Sequence, residues 1–331
     1  MNVAWQMGHD GVMAIAVVRF AHEGRAQWGV LREQRITPIP GAPATTGELI
    51  ASQPRVADLA RLSGVTIDAG AVELLAPVTR NQQFVCQGAN YRQHMIESGL
   101  DPDAKSFNMI FTKASSCIVA AHSDVVRPRG VRFLDYEVEL GLVLRRAITA
   151  RVAVSDANLH EFIAGAVIVN DYSARDVQIP QMQFYKGKSF RTFGPVGPYL
   201  CLLEAGELPL LKTLALTLRV NGEVRQHDST ANLVYGPAET LSELSGVHDF
   251  APGDLLSTGT PAGCALAVPS PGKQRLAALV SEKKKWELFS KAQAKRRQYL
   301  QPGDVVEAMI RSATGEIDLG VQRNRVVDEA A

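Results

Sequence analysis

Three acids stand at alternate positions, Asp135, Glu137 and Glu139, inside the stretch FLDYEVELGLVL at residues 133–144. Read with a period of two, Leu134, Tyr136, Val138, Leu140, Leu142 and Leu144 fall on one face of a predicted strand and the three acids on the other. Side chains two residues apart on a strand stand roughly 6–7 Å from each other. Carboxylates that close repel unless water or a cation lies between them. A second apolar run, residues 166–169, stops at Asn170-Asp171. Beside Glu137 and Glu139, Asp171 completes a three-carboxylate cup. The alternative is a turn-forming aspartate and a solvated acidic strand face. An all-oxygen donor set without cysteine or histidine suits Mg²⁺, Mn²⁺ or Ca²⁺, not zinc.

A second pair with chemical potential is His94 and Glu97, three residues apart in a short predicted helix and so on the same side of one turn. It reads either as an incidental surface pair or as a histidine base oriented by a carboxylate. The stretch YSARDVQIPQMQFYKGKSFRTFGPVGPYL carries Arg175, Asp176, Gln178, Lys186, Lys188 and Arg191. We expect a loop there, serving either an anionic substrate or the charged surface. The glycine-rich loop Gly259-Thr260-Pro261-Ala262-Gly263 lacks the Lys-Ser/Thr that a phosphate loop requires.

The elements that must position these residues read as follows. A hairpin around His22–Gly24 and helical spacing interrupted at Pro54 make residues 1–77 a small N-terminal unit, and residues 78–331 a second domain. The segment SDANLHEFIAGAVIVND, residues 155–171, is expected to be helical, with the apolar run 166–169 typical of a buried strand. Asn221-Gly222 marks a type I′ hairpin, AETLSELS a short helix, and residues 301–327 a closing hairpin with Gly315 in its turn. Residues 271–300 are strongly basic, with helical spacing of Leu276, Leu279, Val280, Trp286 and Phe289.

Composition excludes several classes. With 35 basic against 34 acidic residues, no global field argues for nucleic acid or a membrane surface. The apolar run at residues 12–18 is too short to span a bilayer and has no basic segment before it; Met13 is a candidate natural start. Cys86, Cys117, Cys201 and Cys264 are widely spaced, which reads as reduced thiols in a cytoplasmic protein.

The ordered motifs GANYRQH-x-x-E, DYEVEL, NDYSARDVQ, GKSF, VNGEVRQ and STGTPAG resemble the fumarylacetoacetate hydrolase family, closely over residues 80–263 and more loosely over 301–325. The resemblance implies a mixed α+β, mostly β roll with an N-terminal accessory domain, assembled as a homodimer. It places a divalent ion, Mg²⁺ before Mn²⁺ or Ca²⁺, on Glu137, Glu139 and Asp171, with Asp135 not a ligand. It assigns His94 and Glu97 to water activation, Lys188 to the catalytic lysine position, and Tyr91, Lys113, Arg175, Gln178 and Thr260 to the substrate pocket. The function it implies is hydrolysis of a C–C bond in a β-diketone or acylpyruvate within aromatic catabolism. An oxaloacetate-type decarboxylase and an isomerase or hydratase of unsaturated keto acids are the alternatives. Two departures stand out. The segment 264–300 is a long basic helical insertion beside the expected pocket, suited to a lid for a second carboxylate. The stretch after Gln178 offers no match to the pocket tyrosines of the namesake enzymes, so fumarylacetoacetate is not the expected substrate.

Overall fold

A computed structural model describes residues 14–330 except 42, 53–54, 270–271 and 273–279. The leader with Met13, and Leu276 and Leu279, lie outside the described residues. The strand Val138–Leu144 lies near the centre of the larger sheet. It pairs antiparallel with Ile163–Asn170, Val138 opposite Asn170, and on its other edge with Leu255–Ser257. Leu255–Ser257 runs parallel to Phe84–Gly88, which pairs antiparallel with Met109–Lys113. In the other direction Ile163–Asn170 bonds Leu200–Leu202, which bonds Ile15–His22. Through that last pairing the N-terminal strands join the same mixed sheet, which has thirteen strands among the described residues. A five-stranded sheet ordered Glu223–Ser229, Ala215–Val220, Val305–Arg311, Asp318–Asp328, Val125–Arg127 forms the second layer. The fold is mixed α+β and mostly β.

Every residue of Val138–Leu144 is buried. Leu140, Leu142 and Leu144 pack in one core cluster with Ile168 and with Leu216, Leu218, Ala308 and Ile310 of the second sheet. Val143, on the same face as Glu139, packs with Val167, Val169 and Leu255 and with Trp28, Leu49 and Val56 of the N-terminal unit. This corrects the option of a solvated acidic face: Asp135, Glu137 and Glu139 are buried, and Arg175, Lys188 and Ser257 donate to them. Gly141 sits on that face where a Cβ would lie 2.7 Å from methyls of both Val167 and Val169. A side chain there would wedge the two strands apart just behind Glu139.

Several local expectations meet the structure directly. Asn221 and Gly222 both have positive φ, 51° and 85°, as a type I′ turn requires. Residues 155–162 are not a helix: only Leu159–Glu161 forms a 3₁₀ turn, and the run Ile163–Asn170 is strand from its first residue. Its β-branched residues sit between two neighbouring strands, where burial on both faces overrides helical spacing. The expected loop after Asp171 instead holds two short helices, Arg175–Gln181 and Phe184–Lys188. They pack so closely that a Cβ on Gly187 would lie 2.6 Å from the Gln178 Cβ, which fixes Lys188 against Gln178.

Candidate metal centre and its cavity

The strand pairing dictates the carboxylate cluster. With Val138 opposite Asn170, Asp171 falls opposite Glu137, and its backbone N–H donates to the Glu137 carbonyl at 2.8 Å. Glu139 follows Glu137 by two residues and shares its face. Directly opposed residues on paired strands have Cβ atoms about 5 Å apart, so the three carboxylates converge. They are buried, and one oxygen from each lies within 4.8 Å of the others.

Three buried cations serve these acids. Lys188 Nζ donates to Glu137 Oε2 at 2.5 Å and to Asp171 Oδ2 at 2.6 Å. Lys113 Nζ donates to Asp171 Oδ1 at 2.5 Å and to the Phe193 carbonyl at 2.7 Å. Arg175 donates to Glu137, to Asp135 Oδ2 at 2.8 Å and to Gln178 Oε1 at 2.8 Å. Four buried carboxylates, counting Asp135, thus face three buried cations, leaving one negative charge in excess. Glu139 is the acid left over: its Oε2 accepts from Ser257 Oγ at 2.5 Å and the Gly259 N–H at 3.2 Å, and among the described residues no cation pairs with it. Burial, with Asp171 and Glu137 beside it, pushes the Glu139 carboxyl up to about 8. Burial acts the same way on Glu137, but Arg175 and Lys188 overcome it and hold that carboxyl well below the usual range. On Lys188 burial favours the neutral amine, yet Asp171 and Glu137 raise its pKa and keep the ammonium charged.

The residues present fit a divalent ion. Oxygens on opposite sides of an octahedral Mg²⁺ at about 2.1 Å lie about 4.2 Å apart, and about 5 Å apart around Ca²⁺. Oxygens within 4.8 Å of one another are thus spaced as a Ca²⁺ shell allows, and a small inward shift of the side chains brings them to Mg²⁺ range. The donors are all oxygen, and Glu139, a buried carboxyl beside two others, is the one that a cation would allow to ionise.

A cavity of about 300 Å³ opens onto this cluster. His94, Glu97, Arg175, Gln178, Lys188 and Thr260 line it together with Glu137 and Glu139. His94 and Glu97 share the helix Arg92–Glu97, but no hydrogen bond joins them. The His94 Nδ1 is buried without a partner, and Glu97 is exposed. Burial lowers the His94 pKa; Glu137 opposes and Arg175 reinforces that shift. Thr260 donates to the Val138 carbonyl at 3.0 Å and accepts from Gln226 at 2.8 Å, so its hydroxyl braces the loop against the strand.

Two expected pocket residues stand elsewhere. Lys113 is off the cavity wall, behind Asp171, because its ammonium is drawn to that carboxylate and to Phe193. Tyr91 is fully buried beneath the wall at the start of the Arg92–Glu97 helix, its hydroxyl without a partner. The basic lid also departs from expectation. Lys283, Lys284 and Lys285 are exposed on the helix Glu282–Gln293, and none lines the cavity. Among the described residues of the insertion, the wall takes Cys264, Leu266 and Val268.

Sequence reasoning missed what Asp135 does. Its Oδ1 accepts the backbone N–H groups of Tyr136 at 2.9 Å and Ala265 at 2.7 Å, and its Oδ2 accepts from Leu266 N–H at 3.0 Å and from Arg175. One carboxylate therefore ties the wall at 265–266 to the arginine that holds Glu137. The alternation with Glu137 was visible; the loop it captures, 130 residues further on, was not.

Residues 83–327, well over half of the chain, match the family model described as Fumarylacetoacetate (FAA) hydrolase C-terminal, and residues 16–77 match one described as Rv2993c-like, N-terminal. Oxaloacetate tautomerase YisK of Bacillus subtilis (strain 168) is 38% identical over 195 residues, which cover 58% of this chain and 63%, just under two thirds, of that protein. The mitochondrial oxaloacetate tautomerase FAHD2A of Bos taurus is 31% identical over 249 residues, 75% of this chain and 69% of that one. Among solved structures, fumarylacetoacetate hydrolase (EaFAH) from psychrophilic Exiguobacterium antarcticum superposes with a TM-score of 0.72 at 27% identity, covering 95% of this chain and 100% of that one. Maleylpyruvate hydrolase from Sphingobium sp. SYK-6, solved with manganese (II) ion and pyruvate, has a TM-score of 0.69 at 22% identity over 95% of this chain and 100% of its own, a likeness of fold. By its motifs, its carboxylate cluster and these matches, the chain belongs to the fumarylacetoacetate hydrolase family.

Proposed function

We propose that this protein is a Mg²⁺-dependent enzyme that moves the proton on the carbon between two carbonyl groups of a 2-keto acid, interconverting keto and enol forms. The observation that carries this reading is the joint presence, around one cavity, of three convergent carboxylates, a charged Lys188 and an unpartnered His94 with a lowered pKa. The oxaloacetate tautomerases among the relatives support it. Glu137, Glu139 and Asp171 would hold a divalent ion, which would supply Lewis-acid polarisation of the keto acid.

The chain's own residues do the rest. His94, neutral near neutral pH, takes the proton from the carbon between the carbonyls. The electron pair of that C–H bond becomes the C=C bond, and the keto oxygen gains a proton, so the reaction balances as an isomerisation. Lys188 is held protonated and so acts as a donor where negative charge gathers on oxygen, not as a base. Arg175 fixes the carbonyl end of the Gln178 side chain at 2.8 Å and leaves its amide N–H groups to orient substrate. The same reading includes a homodimer, supported by the family likeness. It also includes the cytoplasm, supported by four buried thiols outside any disulfide.

Hydrolytic C–C cleavage of an acylpyruvate is the second reading, favoured by the placement of both His94 and Glu97 on the cavity wall. It adds a water attack to the same proton chemistry. Following the enol absorbance of oxaloacetate and of a short acylpyruvate with Mg²⁺ tests both. Interconversion without new products supports the tautomerase; release of pyruvate together with a carboxylic acid from the acylpyruvate supports the hydrolase. No Mg²⁺-dependent change with either compound contradicts the reading.

A further inference from the structure

Beyond its carboxylate floor the cavity changes character. Leu100, Met109, Phe111, Ile179, Phe184 and Leu266 line it, each half-buried, so each presents apolar surface to the space. Phe111 begins this surface next to the reacting end: its ring lies 5.2 Å from Lys188 Nζ. Phe184 continues it, stacked on Phe111 at 4.9 Å between centroids and 23° between planes. Leu266 is fixed by the Asp135 carboxylate at 3.0 Å. Among the described residues of the wall, the cationic side chains besides His94 are Arg175 and Lys188. Both already bond acids, Arg175 to Asp135 and Glu137, Lys188 to Glu137 and Asp171. The carboxylate nearer the mouth is Glu97, which repels a second anion.

We infer that the substrate is a 2-keto acid whose far end is an uncharged apolar chain or ring, laid along Phe111 and Phe184 against Leu266. The inference rests on the keto-acid reading above and deepens it. A distal carboxylate in that region would lose its hydration without gaining a partner, which penalises a long dicarboxylate. A short diacid such as oxaloacetate extends only two carbons beyond its keto carbon, so it covers less of this surface than a longer acid.

The test is calorimetric binding to the Mg²⁺-loaded full chain of pyruvate, 2-oxohexanoate and 2-oxoadipate, the last two equal in length and differing in the terminal carboxylate. Each buried methylene is expected to tighten binding about fourfold, so 2-oxohexanoate should bind roughly 60-fold tighter than pyruvate if all three methylenes are covered. 2-Oxoadipate should bind no tighter than pyruvate. Leu266→Arg and, separately, Phe184→Lys place a cation beside the tail, and either should reverse the order of the two longer ligands. Equal binding of pyruvate and 2-oxohexanoate, or tightest binding of 2-oxoadipate to the unaltered protein, overturns the inference while leaving the keto-acid reading intact. Failure of pyruvate and both longer acids to bind overturns the two together.

Discussion

Replacing Asp135 by asparagine tests how the site is braced. The carboxylate is fully buried and accepts four hydrogen bonds, two on each oxygen. Asparagine has one carbonyl oxygen, which can retain the Tyr136 and Ala265 N–H groups. Its NH₂ then faces Arg175 Nε and the Leu266 N–H, donor against donor. A buried donor left without an acceptor costs about 1–3 kcal/mol, and more when charged. Breaking a buried ion pair from one side costs about 3–5 kcal/mol. Arg175 keeps Glu137 as a second counter-ion, so the expected loss is about 3–5 kcal/mol in total, not the sum of both figures. Unfolding entropy of about 2.1 cal/mol/K per residue gives about 0.7 kcal/mol/K for 331 residues. The melting temperature should therefore fall by about 4–7 °C. Arg175 and Leu266 also reach the cavity, so KM for the keto acid should rise as well. Differential scanning calorimetry of D135N beside the unaltered protein measures the first, steady-state kinetics the second. A melting temperature within about 1 °C of the unaltered protein and an unchanged KM would refute the clamp.

Two further outcomes follow from the charges. Glu139 holds its proton up to about 8 when folded but ionises as an ordinary carboxyl when unfolded, so its contribution is fully present below the ordinary carboxylate range and is lost as pH rises through about 8. Metal-free protein should therefore melt at a lower temperature at pH 8.5 than at pH 6, and Mg²⁺, which takes the ionised carboxylate, should raise the melting temperature more at pH 8.5. An equal Mg²⁺-induced shift at both pH values argues against this. His94→Ala should lower kcat by about 10²–10⁴ while leaving Mg²⁺ affinity unchanged, and the acid limb of kcat/KM in the unaltered enzyme should lie below the ordinary histidine value, because burial lowers the His94 pKa. Retained turnover in that variant removes His94 from the chemistry.

The parts of the site that the sequence made legible are those set by short-range geometry. Glu137 and Glu139 share a face because a strand has a period of two, and Asp171 ends the neighbouring apolar run that pairs with it. The Asn221-Gly222 turn was readable for the same reason, since only its own two residues must adopt positive φ. What was not legible depends on contacts far along the chain. Nothing near residue 135 announces that Ala265 and Leu266 will donate to it. Lys113 was placed in the pocket by family resemblance, and its pairing with Asp171, 58 positions away, was not visible from the residues around it. A solvated acidic face stayed open as a reading because the donors that bury it, Arg175 and Lys188, come from helices far along the chain. The basic insertion suggested a lid, yet Lys283, Lys284 and Lys285 stand exposed on their own helix, and the described insertion residues on the cavity wall are Cys264, Leu266 and Val268.

The central claim is that Glu137, Glu139 and Asp171 hold one divalent ion that the keto-acid chemistry uses. Titration of the protein with Mn²⁺, followed by electron paramagnetic resonance of the free ion, measures this directly. The account predicts one tightly held Mn²⁺ per chain, displaced by Mg²⁺, and loss of that binding in Glu139→Gln, whose amide cannot supply the missing negative charge. Undiminished Mn²⁺ binding in Glu139→Gln, or no tight Mn²⁺ in the unaltered protein, would contradict it.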